Sequence, residues 1–349
     1  MTTSEPAATD PRHREVLLDF YRSCAMLFVF YHHTITIFPG FEDVFRRFNP
    51  FAEIFVLISG FMVGMVYLHR PGYAVAVFDR ARRIFAAYFV IAIPVAIGAA
   101  LIGKKQEPVL GAILSVLTFR SDPTAIGILK FYGIMFALLP IILPLYQRNK
   151  PAALVVSAGI FLAATYVVHV IPPVGGDPLL TLLLVLPQWQ FFLMIGILLG
   201  DLHRAKRLIV SHVCACAAVV FLIGFIIDLY CGFPSSAEKW PYTFEKFVNL
   251  LWTLPLVLAI LFAVYANVKE SHYTSVVLNV GKNSLVAFML SEIVRQTVKL
   301  FIVIFDLHLP ILVSHLIGLF SVVLVTYLLW QYQSQWRVRL PLLSPLAGR

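Results

Sequence analysis

Apolar stretches long enough to cross a bilayer, about 20 residues each, recur along almost the whole chain with short polar joints between them. Ten can be marked, at roughly 16–38, 51–69, 84–103, 125–146, 151–172, 179–200, 208–231, 247–268, 284–305 and 310–332. The expected fold class is therefore all-α and polytopic, with about ten transmembrane helices. No joint has room for a separate soluble domain. The longest gap, 104–124, holds an apolar piece from Val109 to Phe119 that would lie in the interface or re-enter. Residues 1–15 are polar and rich in Pro, Ala and Thr, and read as a disordered cytoplasmic tail. Residues 16–332 form one membrane domain and 333–349 a second cytoplasmic tail. The first apolar run is too long for a signal-peptide core and lacks a small-residue cleavage site, so it is expected to stay as a helix.

Composition narrows the class further. Of 349 residues, 60% are hydrophobic and only 13% charged, about half the charged share of a soluble domain. Mean hydropathy is +0.86 over the whole length. The formal net charge of +9 would suggest nucleic acid in a soluble protein. Here no Lys/Arg run is long enough for a nucleic-acid arm, and basic loops that orient a membrane bundle explain the excess. With the N-terminus inside, sixteen of the 27 Lys and Arg fall in cytoplasmic segments, seven on the opposite side and four within helices. That asymmetry predicts both termini inside. The four cysteines, Cys24, Cys214, Cys216 and Cys231, have no paired spacing in an outer loop. No disulfide framework and no metal site are expected, and small buried apolar roles are expected instead.

Ionisable residues inside spans are costly, about 2.5–3.5 kcal/mol each on insertion scales, and several spans carry them. The first holds Asp19, Arg22, His32 and His33. Arg22 and His33 lie eleven positions apart, about three turns, so they share a face roughly 16 Å apart along the axis. Asp19 and Arg22 are three apart and can pair. A structural ion pair and an ordinary histidine at the membrane edge are the plainer readings of these positions. The ninth span repeats the pattern with Glu292, Arg295 and Lys299 on one face that must point into the bundle, with Lys130 of the fourth span a candidate neighbour. Glu53 opens the second span, followed by Ser59 and Gly60, where small residues allow close helix contact. Arg70, Arg80, Arg82 and Arg83 gather at one joint. Positive-inside anchoring accounts for them. Arg80 and Arg83, one turn apart at a helix entrance, would also suit a phosphate-bearing donor.

These residues form a familiar set. Leu18-Asp19-Phe20-Tyr21-Arg22 followed by His33 resembles the first-helix signature of the acyltransferase family 3 superfamily. Ala52-Glu53-Ile54-Phe55-Val56-Leu57-Ile58-Ser59-Gly60-Phe61 resembles its second-helix motif, in a form closest to the OpgC family, which succinylates osmoregulated periplasmic glucans. Arg80-x-x-Arg83-Ile84-Phe85-Ala86-Ala87-Tyr88 resembles the third-helix entrance, and Pro187-Gln188-Trp189-Gln190-Phe191-Phe192 with Gly196 the OpgC Trp-Gln segment. Three positions depart from the pattern: His32 stands where Asp is usual, Ala86 where Pro is usual, and Ser23 where Gly follows the arginine.

The resemblance implies a multi-pass protein of the bacterial inner membrane with no permanently bound cofactor. It would take an acyl group from cytosolic acyl-CoA, succinyl-CoA or acetyl-CoA, to a hydroxyl of a periplasmic glucan or other carbohydrate. His33, Arg22, Glu53 and Asp19 would be the catalytic group. Arg80, Arg83 and Arg82 would hold the CoA phosphates, while His32, Ser59, Gln190, Glu292 and Arg295 would contact substrate. Expected partners are membrane lipid, acyl-CoA and the carbohydrate acceptor, with a homo-oligomer left open and nucleic acid excluded. A transporter or flippase for a polar or acyl-bearing substrate is the rival reading, because intramembrane charges also line transport paths. The chain shows no inverted repeat and no matched pair of Gly/Pro-broken helices, which counts against it.

Overall fold

The computed structural model describes residues 16–35, 37, 49–101, 108–120, 127–170, 178–232, 243–269, 272–305 and 310–331. Both expected tails lie outside these residues. Among the described residues every regular element is a helix. In chain order these are α1 (Val16–Ile35), α2 (Phe51–Met62, running on as a π-helical turn, Val63–Tyr67), α3 (Tyr73–Leu101) and α4 (Val109–Leu117). Then come α5 (Gly127–Arg148), α6 (Lys150–Val170), α7 (Pro178–Arg204) and α8 (Val210–Cys231). The last four are α9 (Phe244–Val268), α10 (His272–Lys282), α11 (Ser284–Ile304) and α12 (Ile311–Gln331).

Seven of the described helices, α3, α5 to α9 and α12, are long and apolar enough to cross a membrane. The other three expected spans are helical too, but each lacks one requirement. The Phe51–Tyr67 stretch is apolar but short. Helices α1 and α11 have the length, 20 and 21 residues, but carry the ionisable residues Asp19, Arg22, His32 and His33, and Glu292, Arg295 and Lys299. Both pack into the bundle, α1 against α2, α10, α11 and α12, and α11 against α1, α3 and α12, but the second half of α11 is largely exposed and Lys299 faces outward rather than into the bundle.

Three local expectations change. The stretch before Arg83 is not a loop: α3 begins at Tyr73, so Arg80, Arg82 and Arg83 are helical. Asp79 supports that early start by pairing with Arg82 at 2.8 Å and Arg83 at 2.5 Å, three and four residues on. The apolar piece after the third span is the short helix α4, and Phe119, two residues past its end, sets its ring about 6 Å from those of Phe85, Tyr88 and Phe89 on α3. Cys214 and Cys216 are exposed on α8 rather than buried, because that helix packs on α9 and presents its other faces outward.

The closest helix contact joins α2 to α7 through a four-glycine seam. A Cβ on Gly60 or Gly64 would come within 2.1 Å of the Leu193 or Ile197 carbonyl oxygen. From the other side, one on Gly196 or Gly200 would come within 2.1 Å of the Leu57 or Phe61 oxygen. Two Gly-x-x-x-Gly pairs thus face each other, and only glycine lets the backbones approach so closely. Near one end of this seam, buried Asp201 of α7 gathers three other segments. His69 Nε2 lies 2.9 Å from Oδ1. On Oδ2, Tyr146 donates at 3.1 Å and Lys150 at 2.5 Å. Arg204 donates to the Met65 carbonyl at 2.9 Å and Gln147 to that of Leu68 at 2.8 Å, which satisfies oxygens around the π-helical turn.

Candidate active site

A cavity of about 660 Å³ opens between α1, α2, α3, α5 and the α10–α11 junction. Its polar lining comes from Arg22 of α1, Ser59 of α2, Tyr67 and Arg70 at the end of the π-helical turn, Asp79, Arg80 and Arg83 of α3, Tyr132 of α5, and Lys282, Asn283 and Ser284. Apolar side chains complete the wall, among them Met26, Val29, Phe55, Met62, Phe136 and Phe288. Five basic side chains against one carboxylate give the wall of this open cavity a positive potential, with Arg70 and Lys282 exposed to solvent.

Arg22 is placed by α1 itself. Its side chain is 13% exposed and lies 3.9 Å from Asp19, which is buried. Ser23, the departure from the expected glycine, fixes the register beneath it. Its hydroxyl donates to the Asp19 carbonyl at 2.7 Å and accepts from the Gly281 amide at 2.8 Å. The α10–α11 junction is thereby pinned to α1 beside the cavity. On the facing wall, Tyr132 is buried and its ring is clamped by Phe55 at 5.1 Å and Trp189 at 5.8 Å. Among the described residues the buried Tyr132 hydroxyl has no hydrogen-bond partner. Ser59 and Arg22 line the same cavity as Tyr132.

The structure therefore brings four of the expected residues, Arg22, Ser59, Arg80 and Arg83, into one cavity, with Asp19 behind Arg22. The others are placed elsewhere. Arg82 is 75% exposed, turned to Asp79 and off the cavity wall. Glu53 is fully buried one and a half turns before Ser59. His32 and His33 are half-buried near the far end of α1, ring centroids 6.1 Å apart, beyond the cavity lining. Gln190 is spent on α6, accepting from the Ser157 hydroxyl at 2.7 Å and donating to its carbonyl at 2.8 Å. Glu292 is closed on its own helix by Arg295, at 2.6 and 2.9 Å, and by Gln296 at 2.6 Å. Among the described residues no cluster of His, Cys, Asp and Glu could hold a metal ion.

Several cavity residues escaped sequence reasoning. Tyr132 stands in an apolar run, where a tyrosine reads as an interfacial aromatic. Lys282, Asn283 and Ser284 fall at a joint between helices, and α10 was not expected as a helix at all. The one available signal was Gly281-Lys282-Asn283, a polar break just before a charged span.

Long apolar helices packed around a cavity with a basic lining fit a multi-pass membrane protein. The chain belongs to the acyltransferase 3 family: the family model for its acyltransferase domain matches residues 16–331, which takes in every helix described above. Its function is accordingly of the membrane acyltransferase type. No curated protein and no solved structure matches the chain.

Proposed function

We propose that this protein is an O-acyltransferase that moves an acyl group, succinyl or acetyl, from cytosolic acyl-CoA to a carbohydrate hydroxyl outside the membrane. A periplasmic glucan is the acceptor that the OpgC-like motifs favour, and the bacterial inner membrane the location. In this reading ten helices cross with both termini inside: α1, α2 with its π-helical turn, α3, α5 to α9, α11 and α12. Helices α4 and α10 are the two that do not cross. The observation that carries the reading is the single cavity that joins Arg80 and Arg83 to Arg22. Arg80 and Arg83 receive the CoA phosphates, and the pantetheine arm runs along the apolar wall past Arg22 toward His33, so that the thioester reaches the outer end of α1.

The chemistry then moves along α1. His33 stands about three turns, roughly 16 Å, beyond Arg22 on the same face, which places it at the outer membrane edge. Its neutral imidazole takes the proton as the sugar oxygen attacks the thioester carbonyl carbon. A C–O bond forms, the C–S bond breaks, and CoA leaves as the thiol after taking a proton. Glu53 supplies the carboxylate that orients the imidazole, and Asp19 positions Arg22. The test is mass spectrometry of envelope carbohydrates from a deletion strain and its complemented counterpart. Loss of an acyl mass increment on deletion, restored by the wild-type chain, supports the reading. Unchanged carbohydrates together with lost uptake or export of an acylated species would favour a transporter.

A further inference from the structure

The donor site has a second half that the arginines of α3 do not supply. The cavity wall between α10 and α11 consists of Lys282, Asn283, Ser284 and Leu285, and α11 begins at Ser284. The start of α11 is uncapped: Asn283 makes no side-chain cap, and its amide instead donates to the Asn279 carbonyl at 3.1 Å. The first bond of the new helix runs from the Ala287 amide to the Asn283 carbonyl, at 2.9 Å. The amides of Ser284, Leu285 and Val286 precede it and have no intrahelical acceptor. They carry the positive end of a 21-residue helix.

A second observation points to a ligand. The Ser284 side chain is 5% exposed and lines the cavity, yet it makes no hydrogen bond among the described residues. The Ser284 oxygen thus keeps access to the cavity, beside helix-start amides that have no intrahelical acceptor. One anion with several oxygens satisfies all of them. Lys282 adds a full positive charge at the same point, and α3 packs against α11 with Arg80 and Arg83 on the shared cavity.

We infer that the N-terminus of α11, with the Ser284 hydroxyl and Lys282, is a phosphate-binding site that clamps a phosphate group against Arg80 and Arg83. The inference rests on the donor reading above for the source of that phosphate, which is then CoA. The shared chemistry also fits the phosphodiester of an anionic lipid. Helix amides and arginines divide the work: the amides orient the oxygens without flexible side chains, while the guanidinium groups neutralise charge. Ser23, by tying Gly281 to α1, holds this helix start next to Arg22.

The test uses the purified full chain in nanodiscs of zwitterionic lipid, with CoA binding followed by calorimetry and thermal unfolding measured in parallel. Ser284→Glu puts a carboxylate where the helix favours one, so the fold is kept or strengthened, while a phosphate is repelled. CoA affinity is expected to fall roughly tenfold or more, with an unchanged or raised melting midpoint. Ser284→Ala removes the hydroxyl alone and is expected to cost about three- to tenfold. It decides the question if the charged variant misfolds. Wild-type affinity in Ser284→Ala and in a folded Ser284→Glu overturns the site and leaves the donor reading intact. If the wild type ignores CoA but retains phosphatidylglycerol in a Ser284-dependent way, the phosphate site stands, its source is lipid, and the donor reading falls. Binding of neither probe by the wild type overturns both.

Discussion

Two groups of charge differ in one respect that separates scaffold from site. Around Asp201, a buried carboxylate is met by Lys150, His69 and Tyr146 from three other segments. Around Arg22, five basic side chains share about 660 Å³ of space with one carboxylate, Asp79, which is itself turned to Arg82 and Arg83. The first group is complete and holds α5, α6 and α7 to the end of α2. The second has an excess of positive charge and room for what would balance it. Charge within a membrane protein is expensive in either case. A carboxylate met by several donors fits a structural role, and a cavity lined by more basic than acidic side chains fits a ligand. Glu292 and Arg295 fall on the structural side by the same criterion, since each closes on the other within α11.

The comparison can be broken by experiment, beginning where the effect is largest. His33→Ala should lower acyl transfer by about 10²–10⁴-fold, the usual range for loss of a general base, while the protein still inserts and binds CoA. Full transfer by a well-expressed variant would remove His33 from the chemistry. Arg80→Ala combined with Arg83→Ala should raise the apparent constant for acyl-CoA by roughly tenfold or more without moving the melting midpoint. Steady-state kinetics on membranes read the first and thermal unfolding the second.

Asp201→Ala should do the reverse. It leaves the Tyr146 hydroxyl and Lys150 without their carboxylate, for a loss of about 1–3 kcal/mol of stability. That is below the 3–5 kcal/mol typical of a fully buried pair, because the Lys150 side chain is 47% exposed and can reach solvent. The acyl-CoA constant should stay at its wild-type value. A variant that unfolds normally but loses donor affinity would erase the distinction between the two groups. Arg82→Ala is the smallest change. An exposed pair contributes at most about 1 kcal/mol, so neither stability nor the donor constant should move by more than about twofold.

Much of the fold was legible because hydropathy is a one-dimensional signal. Each of the ten expected spans corresponds to a helix, and the close approach at Gly60 was visible as a small residue inside an apolar run. The charged face of α1 was equally legible, since helical spacing alone places Asp19 beside Arg22. What sequence could not show was pairing between segments. Nothing near Asp201 distinguishes it from any acidic residue at a helix end until His69, Tyr146 and Lys150 are folded around it. Gln190 and Glu292 were expected at the substrate because polar residues inside spans suggest function. Folding turns one to Ser157 and the other to Arg295. Arg82 shows the limit of motif reading at a single residue. It sits between two cavity arginines in sequence, but the 100° step of the helix turns it outward.

The central claim is that donor and acceptor meet from opposite sides of one membrane protein. The most direct measurement uses proteoliposomes in which every molecule has the same orientation, with labelled acyl-CoA supplied on one side and glucan on the other. The account predicts acyl-glucan when acyl-CoA is on the Arg80 and Arg83 side, and none when the two are exchanged. Equal product from both arrangements, or product only when both reactants share a side, would contradict it.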